Sequence, residues 1–375
     1  MYMFRYLFNA IDNAKAISDA SIKAILWVFS IVLIVLFITL NVLCSVAKAN
    51  VKANVKANTP QYTITHQILV RSLITQINPI NIRTNLKILS AEPDRDVDSI
   101  NGLDTALWLE HQLQLQVDTY KCKNCQIFTV PTGKHRQPSV ILKISPTNQL
   151  VNQLELPAIV LGAHMDTLPY GDAGTYYIDN KPNKPGADDD GSGTVTVLEI
   201  TRVLLNSQLN QQIKLNRPIY IIFYAGEEEG LWGSQYVVKY FQQHKIKVKA
   251  VMQLDMTGYM DKGIDNSFIL IKNETNLKLN QYVTKLVHTY IGADRDTEYF
   301  NCNEPGGCSD DYTWTQNGIA STFPYESGDS HYIHGSKDTM SRLSLTYMTD
   351  FAKLGLAFVI ELSTTNATEN AQSLR

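Results

Sequence analysis

Side chains able to hold metal or move protons recur in this chain at the ends of short apolar runs. "AIVLGAHMD" closes on His164 and Asp166, "YIIFYAGEEEG" on Glu227, Glu228 and Glu229, and "VMQLD" on Asp255. "KPGADDDGSG" adds Asp188, Asp189 and Asp190, and "HYIHGSKDT" adds His331 and His334. Each cluster has an ordinary explanation when taken alone. A strand-end histidine is commonly a hydrogen-bonded core residue, "DDDGSG" reads as a turn with Asp190 or Ser192 capping a helix, and adjacent glutamates complement a helix dipole. Independent explanations of that kind do not account for five clusters falling at one edge of one expected sheet. Two imidazoles and three carboxylates make two nitrogen and oxygen sites if one carboxylate bridges, a donor set that suits zinc. Two such cations can share and activate a water for attack on a carbonyl. The pair Glu227–Glu228 then leaves one carboxylate over as a base.

The elements expected to present these groups are visible in the apolar pattern. "SVILKIS", "LPAIVLGAHMD", "RPIYIIFYAG", "VKAVMQLDM" and "SFILIK" read as strands, and "TVTVLEITRVLL" and "LKLNQYVTKLVHTYIG" as helices between them. Runs of Val and Ile without polar alternation predict strands covered on both faces, hence one α/β domain on a largely parallel sheet. Functional groups of such sheets collect at the carboxyl ends of the strands. Ahead of them, residues 64–118 carry helical periodicity, with Leu107, Leu109, Leu113 and Leu115 on the expected apolar face.

The chain has 375 residues, 44% of them apolar, and a formal net charge of -3 with Lys and Arg dispersed. That is enough for a large core, and the absence of a basic stripe argues against a nucleic-acid partner. Residues 24–47 contain no charged side chain and are long enough to cross a bilayer. They follow an N-terminal segment, 1–23, and precede a low-complexity linker, 48–60, so the folded domain is expected over 61–375. A cleaved signal with "AKA" at 47–49 is one reading and a retained membrane anchor the other; the length of the run favours the anchor. Either way the domain is expected on the exported, periplasmic or extracellular side. Four cysteines lie in it, Cys122 and Cys125 as "CKNC" and Cys302 and Cys308 as "CNEPGGC". Two local disulfides fit an exported domain, while "CKNC" could also serve as a redox pair or half a zinc site.

Taken in order, "GAHMD", "GADDDGSG", "AGEEEGLWGSQ", "QLDMTGY", "CSDDYTW" and "HGSKDT" resemble the bacterial leucyl aminopeptidase family of di-zinc exopeptidases, over roughly residues 65–360. The resemblance implies a three-layer α/β/α sandwich around a mixed, mainly parallel sheet, and hydrolysis of the N-terminal peptide bond of peptides. It also implies two Zn2+ cofactors. His164 and Asp255 would bind one, Glu228 and His334 the other, with Asp189 as the bridge and Glu227 as the general base. It further implies a cis peptide between Asp189 and Asp190. Asp166 would accept the other N–H of His164, Asp310 would do the same for His334, and Glu229 would be a helix-start carboxylate. Met256, Phe323, Tyr325, Tyr332 and Ile333 fall in the segments that form the family's side-chain pocket, implying an apolar first residue. Two departures touch that pocket: Asp311 stands where the family often has His, and the loop between Cys302 and Cys308 is long.

Three rivals use the same features. A glutaminyl cyclase of this fold would hold a single zinc, against which the five ligands argue. A related carboxypeptidase would need an arginine cluster, and Arg295 and Arg342 are isolated. A non-catalytic membrane-anchored ectodomain on this scaffold should have lost ligands, and none is lost.

Overall fold

The computed structural model of the chain describes residues 62–146, 156–168, 183–260, 267–328 and 330–364. The chain divides after Gln61, and the second unit begins at Tyr62. The expected segments 1–23, 24–47 and 48–60 lie outside the described residues. Among those described, no helix is long and apolar enough to cross a membrane.

Three helices come first, α1 (Gln67–Ile74), α2 (Pro79–Leu89) and α3 (Ile100–Thr119). The second has Asn78 accepting from Ile80 N with Pro79 at its first position, and the third has Ser99 accepting from Gly102 N. These are the residue types that satisfy exposed N–H groups at a helix start. The expected apolar face of α3 is corrected: Leu109 and Leu113 are buried, whereas Leu107 is 53% and Leu115 47% exposed. Residues four apart share a helix face, but a step of two turns the side chain to the far side.

A six-stranded sheet comes next, built from β1 (Cys125–Val130), β2 (Ser139–Ile144), β3 (Ala158–His164), β4 (Ile219–Tyr224), β5 (Val248–Gln253) and β8 (Ser321–Thr322). Its order is β1-β2-β4-β3-β5-β8. The β3–β4, β3–β5 and β5–β8 pairs are parallel, and β1–β2 and β2–β4 antiparallel. β1 was not among the expected strands. The expected strand "SFILIK" forms, as β6 (Phe268–Ile271), but in a separate sheet between β7 (Thr297–Phe300) and β9 (Pro324–Tyr325).

Helices cover the main sheet on both sides, and the strand period of two divides the core accordingly. Ile159, Leu161, Ala163, Ile219, Ile221 and Phe223 pack with α4 (Gly191–Leu209) and α8 (Leu345–Ser363). Val160, Tyr220, Ile222 and Tyr224 pack against Val237 and Phe241 of α5 (Trp232–Gln243) and Trp314 of α7 (Asp311–Gln316). The remaining helix, α6 (Leu277–Tyr290), contributes Leu279, Val283 and Leu286 to the first of these layers. The chain runs from β3 through α4 to β4, then through α5 on the opposite face to β5, passing over β3. Such a reversal opens a crevice at the carboxyl ends of the strands.

The first described residues are tied to the last helix by one carboxylate. Glu361, fully buried, accepts from Thr65 N at 2.7 Å, from His66 N at 3.1 Å and from the Tyr290 hydroxyl. Glu361→Ala leaves these donors without an acceptor and is expected to cost about 2–3 kcal/mol. A chemical denaturation midpoint equal to wild type would refute it.

Candidate metal centre

His164 is the last residue of β3 and 1% exposed. Its Nε2 lies 3.1 Å from Asp189 Oδ1 and 3.4 Å from Asp255 Oδ1. Across the crevice, His334 Nε2 lies 3.0 Å from Asp189 Oδ2 and 3.1 Å from Glu228 Oε2. The five expected ligands therefore fall into two groups, His164–Asp189–Asp255 and Asp189–Glu228–His334, with donor atoms in each within 4.8 Å of one another. Asp189 belongs to both.

The local sequence explains how each side chain arrives there. The peptide bond Asp189–Asp190 is cis. Asp190 caps α4 by accepting from Gly193 N at 2.8 Å, and also accepts from His164 N at 3.1 Å and Met256 N at 3.2 Å. One carboxylate thus joins the helix start to the ends of two strands. Asp188 turns away, its Oδ1 accepting from Gly258 N. After β4 the chain turns sharply at Gly226, with φ 62°, which glycine adopts without a steric penalty. Gly233 then lets α5 close onto the strand, since a Cβ there would stand 2.3 Å from Ala225 O.

The expected role of Asp166 is corrected. Its Oδ1 is 3.6 Å from His164 Nδ1, beyond hydrogen-bond distance, while its two oxygens accept from Glu227 N at 3.1 Å and Glu228 N at 3.2 Å. It fixes the backbone of the glutamate turn. Asp310 is corrected: its Oδ2 accepts from Gln253 Nε2 at 3.4 Å, burial raises its pKa, and among the imidazoles it is His164 whose charge opposes that rise. Glu229 is also corrected, because α5 begins three residues later, at Trp232. Its electrostatic neighbours are Asp96, His135 and Asp98.

The pocket residues fall into two sets. Met256, Phe323 and Tyr325 gather, with Tyr325 Oη 3.8 Å from Met256 Sδ and the Phe323 and Tyr325 ring centroids 5.6 Å apart. Beside them are Cys302 and Cys308, joined in a disulfide, as are Cys122 and Cys125. Tyr332 instead carries the Arg342 guanidinium over its ring at 3.5 Å, and Ile333 is half-buried beside it.

Three supporting residues carry no role in the sequence reading. Ser309 Oγ donates to Asp255 Oδ2 at 2.6 Å, and Asp338 accepts from Asp188 N at 2.9 Å and Asp189 N at 3.1 Å. Arg95, fully buried, donates to Met165 O, Pro185 O and Gly186 O at 2.7–2.9 Å. Ser309 stands inside "CSDDYTW" and Asp338 inside "HGSKDT", which is a usable signal; Arg95 stands in no such motif.

The electrostatics suit a cation at each group. Burial lowers the His334 pKa, but Glu228 and Asp189 overcome it and push it up to about 12. Burial raises Asp189, yet the hydrogen bonds from both imidazoles bring it below the ordinary carboxylate range. Burial raises Glu227 well above its usual range; Asp255, Asp310 and Glu228 raise it further, and His164 opposes them. Crowded buried carboxylates draw protons where positive charge is otherwise missing, and metal binding releases such protons. Asp255 Oδ1 is buried without a hydrogen-bond partner. Imidazole nitrogens and carboxylate oxygens with an unpartnered acceptor between them fit zinc.

The pattern for Peptidase family M28 matches residues 139–359, more than half of the chain. The chain belongs to peptidase family M28. Relatives extend the match beyond that region. Leucine aminopeptidase 1 of Arthroderma otae is 33% identical over 312 residues, covering 80% of this chain and 78% of the relative. Among solved structures, the LapA aminopeptidase of Legionella pneumophila is 36% identical with a TM-score of 0.72, over 81% of this chain and 76% of that one. LapB of the same organism is 37% identical with a TM-score of 0.72, over 82% and 78%. As an M28 member with these relatives, the chain is a zinc-dependent aminopeptidase with the α/β architecture of the zinc exopeptidases.

Proposed function

We propose that the chain removes the first residue of peptides at a site holding two zinc ions, with Glu227 as general base and with long apolar first residues preferred. The observation that carries this reading is Asp189, whose two oxygens face the two imidazoles at 3.1 and 3.0 Å. A carboxylate directed both ways fits a bridge between two cations. His164 and Asp255 would complete one site, Glu228 and His334 the other.

Zinc bound there supplies Lewis-acid polarisation and lowers the pKa of a nearby water. Glu227 takes the proton from the attacking water and passes it to the leaving amine. Asp166 holds the main chain of Glu227 and Glu228 together, so base and ligand keep a fixed separation. Met256, which follows Asp255 in the chain, gathers with Phe323 and Tyr325 into an apolar wall. The two disulfides favour an exported setting for the domain, because such bonds persist in oxidising compartments. The apolar run 24–47 would then serve as anchor or signal.

Two measurements test the reading. Stripping the full chain with a chelator is expected to abolish aminoacyl-anilide hydrolysis, and zinc to restore it at two equivalents per chain; restoration at one equivalent removes the dinuclear site. Leu-anilide is expected to exceed Lys- and Gly-anilide in kcat/KM by about 10-fold or more, the range that apolar pocket contacts supply. The reverse order removes the apolar preference without touching the chemistry.

A further inference from the structure

We propose that Lys184 is a positioning residue for His334, setting the affinity of one of the two cations and not the other. The proposal rests on the two-zinc reading above. His334 has φ 60°, the left-handed region, which a non-glycine side chain occupies only when its surroundings hold it there. Lys184 supplies that hold: its Nζ donates to His334 O at 2.7 Å.

Lys184 is itself fixed. It is 2% exposed, and its N–H donates to Pro93 O at 2.7 Å. The next two carbonyls, of Pro185 and Gly186, are taken by Arg95 at 2.7 and 2.9 Å. Arg95 also donates to Met165 O at 2.8 Å, the residue after His164. The frame that carries Lys184 is thus the one that fixes the end of β3. Further along, Asp338 fastens the other end of the His334 segment to the Asp188–Asp189 turn. Lys184 and Asp338 bracket residues 334–338, which leaves the His334 ring facing Asp189 and Glu228.

A buried ammonium is costly to desolvate unless it is well bonded. Here it is directed at the main chain of a candidate ligand, not at the ring that would meet the metal. Its loss should release the backbone of His334 and leave His164 and Asp255, held by Asp190 and Ser309, in place. Replacing a group that orients a metal ligand commonly weakens metal binding by about 10–100-fold.

The test uses the full chain, stripped of metal and titrated with zinc, as wild type, Lys184→Met, Lys184→Gln, His334→Ala and the double variant Lys184→Met/His334→Ala. Wild type is expected to take two equivalents. Lys184→Met should bind the second about 10–100-fold more weakly while keeping the first at wild-type affinity. Lys184→Gln, which retains a donor, should lie between; if Lys184→Met does not fold, Lys184→Gln carries the same comparison. In the His334→Ala background, Lys184→Met should change neither zinc content nor residual turnover, because its effect runs through that histidine.

Two equivalents at wild-type affinity in Lys184→Met, or in Lys184→Gln where it alone folds, overturn the proposal. So does a further loss of zinc or turnover in the double variant. A single equivalent in wild type overturns the two-zinc reading itself, a distinct outcome.

Discussion

Glu227→Gln is expected to bind zinc as the wild type does and to lose about 10²–10⁴-fold in kcat with little change in KM, the range of a removed general base. The substitution keeps the size of the side chain and removes its negative charge and its capacity to carry a proton. The Glu227 main chain is bonded to Asp166 through its N–H, so the turn stays in place. The carboxylate belongs to neither group of candidate ligands, so metal content should not follow activity. Bound cations also oppose the burial that raises this carboxyl, returning it toward the range useful for a base. Metal analysis beside single-turnover hydrolysis of Leu-anilide decides the matter. Undiminished hydrolysis takes the role from Glu227, and parallel loss of zinc makes it a ligand.

Asp189→Ala is expected to act on both metals at once. It is the member common to the two ligand groups, so its removal takes a donor from each, whereas His334→Ala takes one from a single group. The expected loss of zinc affinity exceeds the about 10–100-fold typical of an outer partner, and turnover should be undetectable at wild-type enzyme concentrations. Asp338 bonds the main chain of residue 189, not its side chain, so the turn itself should survive. A variant that keeps one tightly held zinc would show Asp189 to serve one site only.

Much of the arrangement of the candidate ligands was legible because they sit in segments whose local pattern places them at strand ends and a helix start, while their individual roles came from the family resemblance. Short apolar runs rich in Val and Ile such as "AIVLGAH" and "YIIFYAG" read as buried strands, and a strand that stops at His164 or before Glu227 places that residue at the sheet edge. The "DDDGSG" turn offers Asp190 or Ser192 as the cap, and the structure chooses Asp190, adding its two further bonds to His164 N and Met256 N. Proximity in sequence makes these assignments safe.

What failed, or was not seen, depends on partners remote in the chain. The helical pattern of α3 does not say which leucines meet the sheet, and Leu107 and Leu115 face away. "SFILIK" is a strand by composition, but composition does not choose between two sheets. The expected bond of Asp310 to His334 is replaced by packing beside Gln253 at the other end of the site, a contact 57 positions away that motif position does not reveal. Arg95 and Lys184 look like surface cations by residue type; they are buried because carbonyls about 70 to 150 positions away converge on them. By itself the sequence determined the strands and helices that carry the site, the edge where they end and the donor types gathered there, since hydrophobic period and capping act over a few residues. Tertiary structure alone decided which helix face is covered, which sheet takes "SFILIK" and which buried cation bonds the main chain beside which candidate ligand, because those are long-range contacts that no local preference encodes.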